Sequence, residues 1–95
     1  MRADVMVLDG QVCVRIQAVG WVPAKPAREL QVGDVVLWNF GYATEVVAIE
    51  PSKSGKTLTV TYRPSDLGRR NAWAKEHTRR HSADSLLGIL KGAGQ

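Results

Sequence analysis

The sequence is short of several things. It has one cysteine, Cys13, one phenylalanine, Phe40, and no apolar run approaching the roughly 20 residues of a membrane-spanning helix. One thiol cannot close a disulfide within its own chain, so a reducing compartment is expected. The start, Met1-Arg2-Ala3-Asp4, puts an acid where a secretory signal carries its apolar stretch. A cytoplasmic protein is therefore expected. There is no internal repeat, no Cys-x-x-Cys and no His-x-Glu. No acid/base, nucleophile or metal set can be assembled, so the expectation is binding rather than catalysis, with no cofactor.

What is present suits a single folded domain spanning residues 1–95, with 91–95 as a frayed tail. The 44% apolar and 23% charged composition excludes a disordered chain. Net charge is +4 and unevenly spread. Residues 1–52 carry four basic and six acidic side chains, residues 53–95 nine basic and three acidic. A basic second half points to an acidic partner for one face.

The patterning is that of strands. Val12, Val14, Ile16 and Ala18 alternate with Cys13, Arg15 and Gln17, and Asp9-Gly10 joins them as a hairpin to Val5-Met6-Val7-Leu8. Gly20 is expected to end that strand. Trp21 to Pro26, with two prolines, is expected as an ordered loop anchored by Trp21. Gly33-Asp34 reads as a turn before Val35-Val36-Leu37-Trp38, with Leu30 and Val32 plugging one end of the core. Asn39 to Tyr42 makes the next turn. Thr44–Glu50 and Thr57–Tyr62 are strands joined by a hairpin loop at 51–56, and the second shows Leu58, Val60 and Tyr62 on one face. Arg63 to Asn71 is a polar loop or hairpin tip. Ala72 to His81 suits a strand, with Trp73, Lys75, His77, Arg79 and His81 on one side. Its Ala, Lys, Glu and Arg also suit a helix, but no 3.6-residue apolar stripe is present. A short helical turn is expected near 82–86, before Leu86–Leu90 closes the core.

Five to six short antiparallel strands, the late turn, and the phrase Ala27-x-x-Leu30-x-x-Gly33-Asp34-x-Val36 resemble a small all-β, SH3-like barrel. The same phrase occurs in self-processing domains of the intein and hedgehog type. Those domains begin on a Cys or Ser nucleophile and end on a His-Asn step, whereas this sequence begins on Met1, ends on Gln95 and has no His-Asn, so no self-processing is expected. The phrase, the compact length and the ending Thr78-Arg79-Arg80 … Ala83-Asp84-Ser85-Leu86-Leu87 also resemble small accessory proteins of actinobacterial phages and prophages. That resemblance implies action inside a bacterial host cell, on host or phage machinery.

Other candidates for chemistry read as structure. Cys13 sits in an alternating strand as a small apolar residue. Ser54-Gly55-Lys56-Thr57 lacks the earlier glycine and following helix of a phosphate loop. His77 and His81, four apart on a strand, are separated by roughly 13 Å of rise, too far to share one ion. The informative feature is the basic cluster: Arg63, Arg69, Arg70, Lys75, Arg79 and Arg80, six cations within eighteen residues, interleaved with Trp73 and His77. Guanidinium forks match phosphate oxygens and aromatic rings stack on unpaired bases, which points to DNA or RNA. The alternative is a protein–protein adaptor or inhibitor that binds a bacterial host protein through the same hairpin, with an exposed Trp73 as its anchor.

Overall fold

The computed structural model describes residues 4–65 and 75–92. Within them the chain is all-β. Eight strands form one antiparallel sheet: β1 (Val5–Leu8), β2 (Gln11–Ile16), β3 (Gly20–Pro26), β4 (Val35–Leu37), β5 (Ala43–Pro51), β6 (Thr57–Pro64), β7 (His77–Ser82) and β8 (Leu86–Lys91). Their order across the sheet is β1-β2-β3-β8-β4-β5-β6-β7. There are more strands than the five to six expected, and the sheet is open, with β1 and β7 at its two ends, rather than closed into a barrel.

One strand beyond those expected comes from the segment read as a loop. β3 changes partners along its length. Cys13↔Pro23 is the last pair of the β2–β3 ladder, and Ala24 to Pro26 then pair with Gly88 to Leu86 of β8. Both prolines thus sit at ladder ends, where a missing N–H is tolerated. Gly20 opens this strand at φ +110° rather than ending β2, which stops at Ile16. Trp21 is an exposed strand residue opposite Arg15, not a loop anchor.

The core lies over β4, β5, β6 and β8. Ala27, Leu30, Val36, Val46, Leu58, Val60, Tyr62 and Leu87 pack as one cluster, and Val35, Leu37 and Ala43 form a second. β4 is buried on both faces, which is why its sequence is continuously apolar. A bulge at Val47 lets Val46 and Ile49, three residues apart, oppose Tyr62 and Val60 on the same face.

The Leu30–Val36 phrase is a turn built around a buried carboxylate. Gly33 adopts φ +100°, a geometry that glycine takes without a Cβ penalty. Its N–H donates to the Val46 carbonyl at 2.9 Å, and Val46 N–H returns a bond to the Asp34 carbonyl at 2.8 Å. Asp34 is fully buried; Oδ2 accepts from Gln31 N–H at 2.8 Å and pairs with Lys25 Nζ at 2.6 Å. Leu30 enters the core as expected, but Val32 is 60% exposed on the outside of the turn. Residues 82–85 form a single reverse turn closed by Ser85 N–H to the Ser82 carbonyl at 3.0 Å, not a helical segment.

Candidate nucleic-acid interface

β7 is an end strand of the sheet and carries the described part of the basic cluster. Its register against β6 pairs Tyr62↔His77, Val60↔Arg79 and Leu58↔His81 on one face, and Thr61↔Thr78, Thr59↔Arg80 and Thr57↔Ser82 on the other. The period of two therefore separates Arg79 from Arg80. The two arginines, adjacent in sequence, serve opposite faces of the strand.

The inner face is aromatic. Trp38, at the end of β4, donates its indole N–H to the buried Thr44 hydroxyl at 2.7 Å, which fixes the ring. Tyr62 meets that ring edge-on, with centroids 5.5 Å apart. His81 lies nearly parallel to it at 6.1 Å, and the Arg79 guanidinium carbon stands 4.8 Å from its centroid. The Arg79–Trp38 contact is a cation–π pair. His81 Nε2 is 2.8 Å from Tyr62 Oη, and the His77 ring lies 5.7 Å from the Tyr62 ring. Burial raises the Tyr62 hydroxyl above its usual pKa, opposed by the nearby Arg79 charge. Burial lowers His81 below the usual imidazole value, and Arg79 lowers it further. His81 therefore favours its neutral form, a partner for the Tyr62 hydroxyl.

The outer face is hydrophilic. Thr57, Thr59 and Thr61 of β6 stand beside Ser82, Arg80 and Thr78 of β7, with Arg80 in the middle. Glu50 of β5 pairs with Thr59 on its far side, two strands from Arg80. Ala83 N–H bonds the Lys56 carbonyl at 2.8 Å, bringing the 52–56 loop beside the end of β7.

Of the residues expected to bind, the structure brings together His77 and Arg79 with the ring cluster and puts Arg80 on the opposite face. Lys75 is exposed just ahead of β7. Arg63 lies on β6, where Nε and Nη2 both donate to Glu45 Oε1, at 3.1 and 3.0 Å. Arg69, Arg70 and Trp73 lie outside the described residues. Trp38 and Tyr62 are the members that sequence reading missed. Tyr62 was legible as a core residue of β6, but only the β6–β7 register shows that it faces His77 and His81. Trp38 comes from a distant segment and carries no sequence signal for this contact.

His77 and His81 share one face with Arg79 between them. Among the described residues, no three His, Cys, Asp or Glu side chains are grouped to hold a metal ion, and no helix is long and apolar enough to cross a membrane. The chain matches no protein-family model, no curated protein and no solved structure.

Proposed function

We propose that this protein is a non-enzymatic nucleic-acid-binding module whose contact surface is β7 with the segment leading into it, residues 63–81. The observation that carries this reading is the composition of the β6–β7 ribbon. Its fourteen strand residues include three arginines and no acid, and its outer face sets Arg80 among five hydroxyl side chains. Phosphate oxygens are met in this way, by guanidinium groups with Ser and Thr hydroxyls beside them. Arg80 and Lys75 have no ion-pair partner among the described residues, whereas Arg15, Lys25, Arg28 and Arg63 are paired with Asp4, Asp34, Asp84 and Glu45. The resemblance of the sequence to small phage accessory proteins adds only a setting to this reading, a bacterial cytoplasm.

The test is a mobility-shift assay with mixed-sequence DNA and RNA oligonucleotides. A complex at low salt that dissolves as salt rises is expected. The absence of any complex at about 50 mM salt would refute the reading, since non-specific contacts are strong there. A protein partner that stays bound through nuclease treatment, with no nucleic acid bound directly, would favour the adaptor reading in its place.

A further inference from the structure

We infer that the nucleic acid is held by its sugar–phosphate backbone alone, on the outer face of the β6–β7 ribbon around Arg80, without discrimination between bases. This rests on the nucleic-acid reading and names the part of the ligand that this surface fits.

The outer face is a flat array of short donors around one long cation. Thr57, Thr59 and Thr61 of β6 stand opposite Ser82, Arg80 and Thr78 of β7. Thr59, Thr78, Arg80 and Ser82 are exposed, and Thr57 and Thr61 are half-buried. Among the described residues, none of the five hydroxyls is engaged in a hydrogen bond and Arg80 makes no ion pair. The rings of the ribbon lie on the other face, where Tyr62, His77 and His81 pack with one another and with Trp38.

Reach decides what such a face can touch. A serine or threonine hydroxyl stands one carbon off the backbone, so on a strand pair it meets only what lies outermost on a nucleic acid. Phosphate oxygens lie there, and hydroxyls and guanidinium groups are both their usual partners. Base edges lie about 8.5 Å down the major groove of B-DNA, beyond the reach of these side chains. Stacking on an unpaired base needs a ring, and the outer rows hold none. From Thr78 to Ser82 the row runs about 13 Å along the strand, which matches about four phosphates of one strand at roughly 3.4 Å of axis each. Glu50, which pairs with Thr59 from β5, sets a negative charge on the inward side and confines the contact to the β7 margin.

The experiment measures fluorescence anisotropy of four labelled probes of equal length: oligo-dT, an abasic deoxyribose-phosphate strand, an A·T-only duplex and a G·C-only duplex. Wild-type protein should bind oligo-dT and the abasic strand equally, and the two duplexes equally. Arg80→Gln should weaken all four complexes by a common factor of about ten, the effect of one hydrogen-bonded contact to a charged group. Thr59→Val/Thr78→Val keeps the shape of the face and should also weaken all four by one factor. Binding of oligo-dT about tenfold tighter than of the abasic strand, the effect of one stacked base, overturns the inference while leaving nucleic-acid binding intact. A preference of about tenfold for one duplex, the effect of one base-edge contact, does the same. So does wild-type binding of all four probes by Arg80→Gln. Failure of the wild type to bind any of the four overturns both.

Discussion

His81 Nε2 lies 2.8 Å from Tyr62 Oη, and this contact ties an end strand of the sheet to its core. Tyr62 is fully buried at the end of the Leu58-Val60-Tyr62 row, while His81 is half-buried on β7. The phenol is amphipathic: its ring fills the core and its hydroxyl finds the one kind of partner that lets it be buried. β7 thus carries cations at the sheet margin and still packs against apolar neighbours. Inward-pointing polar residues on an end strand also discourage pairing with other chains.

Tyr62→Phe keeps the ring and removes the hydroxyl. Urea melts should show a loss of about 1 kcal/mol, the net worth of one hydrogen bond. Leu58→Ala, in the same row, should cost about 2–5 kcal/mol, because it leaves a cavity. If Tyr62→Phe proves the more damaging, the contact between Tyr62 and His81 matters more than the packing of the row.

The depressed pKa of His81 fixes the direction of a pH effect. Burial is the larger cause and Arg79 the smaller, and both favour the neutral ring. The unfolded chain, with its imidazole near 6.5, then binds more protons than the folded one in the window below that value. The stability from neutral His81 is complete above pH 6.5 and is lost as pH falls through the lower folded-state value. Melting temperatures measured from pH 8 to pH 5 should fall in the acid half of the range, and the fall should be shallower in His81→Gln. Parallel curves for the two proteins would remove His81 from the account.

Lys25 lies on the partner-changing strand β3 and Asp34 in the Gly33 turn, so their pair links β3 to the start of β4. Asp34 is nearly inaccessible, whereas the Lys25 side chain is 25% exposed. Lys25→Met removes the paired cation from a buried carboxylate, and should cost about 3 kcal/mol in a denaturant melt. A change of under about 0.5 kcal/mol, the level of an ordinary surface substitution, would show that the pair contributes little.

Much of the sheet was legible because its signals are local. Alternation gave β2 and β6, Asp9-Gly10 gave the first hairpin, and Gly33-Asp34 gave the turn in which Gly33 takes a positive φ. β3 was not legible, because Pro23 and Pro26 argue against a strand unless both fall at ladder ends, and that depends on where β2 and β8 lie. Val32 was expected inside on alternation with Leu30, but the Gly33 turn takes it out of register and the core accepts Leu30 alone. The openness of the sheet is a property of pairing between distant strands, which composition and spacing do not encode. In the candidate site, the cations and histidines of β7 could be read from the sequence. Their division between two faces followed from the strand period. The contact between Trp38 and Arg79 required tertiary structure, since the two residues meet only after β4, β5, β6 and β7 have paired.

The most direct test of the central claim, that β7 binds nucleic acid, is the salt dependence of binding to a single-stranded oligonucleotide, measured for the wild type and for the Arg79→Ala/Arg80→Ala double variant. A linear fall of log affinity with log salt is predicted for the wild type. Losing two phosphate contacts should make the slope shallower by about 1.4, at roughly 0.7 per contact on a single strand. Identical affinities and slopes for the two proteins would contradict the claim.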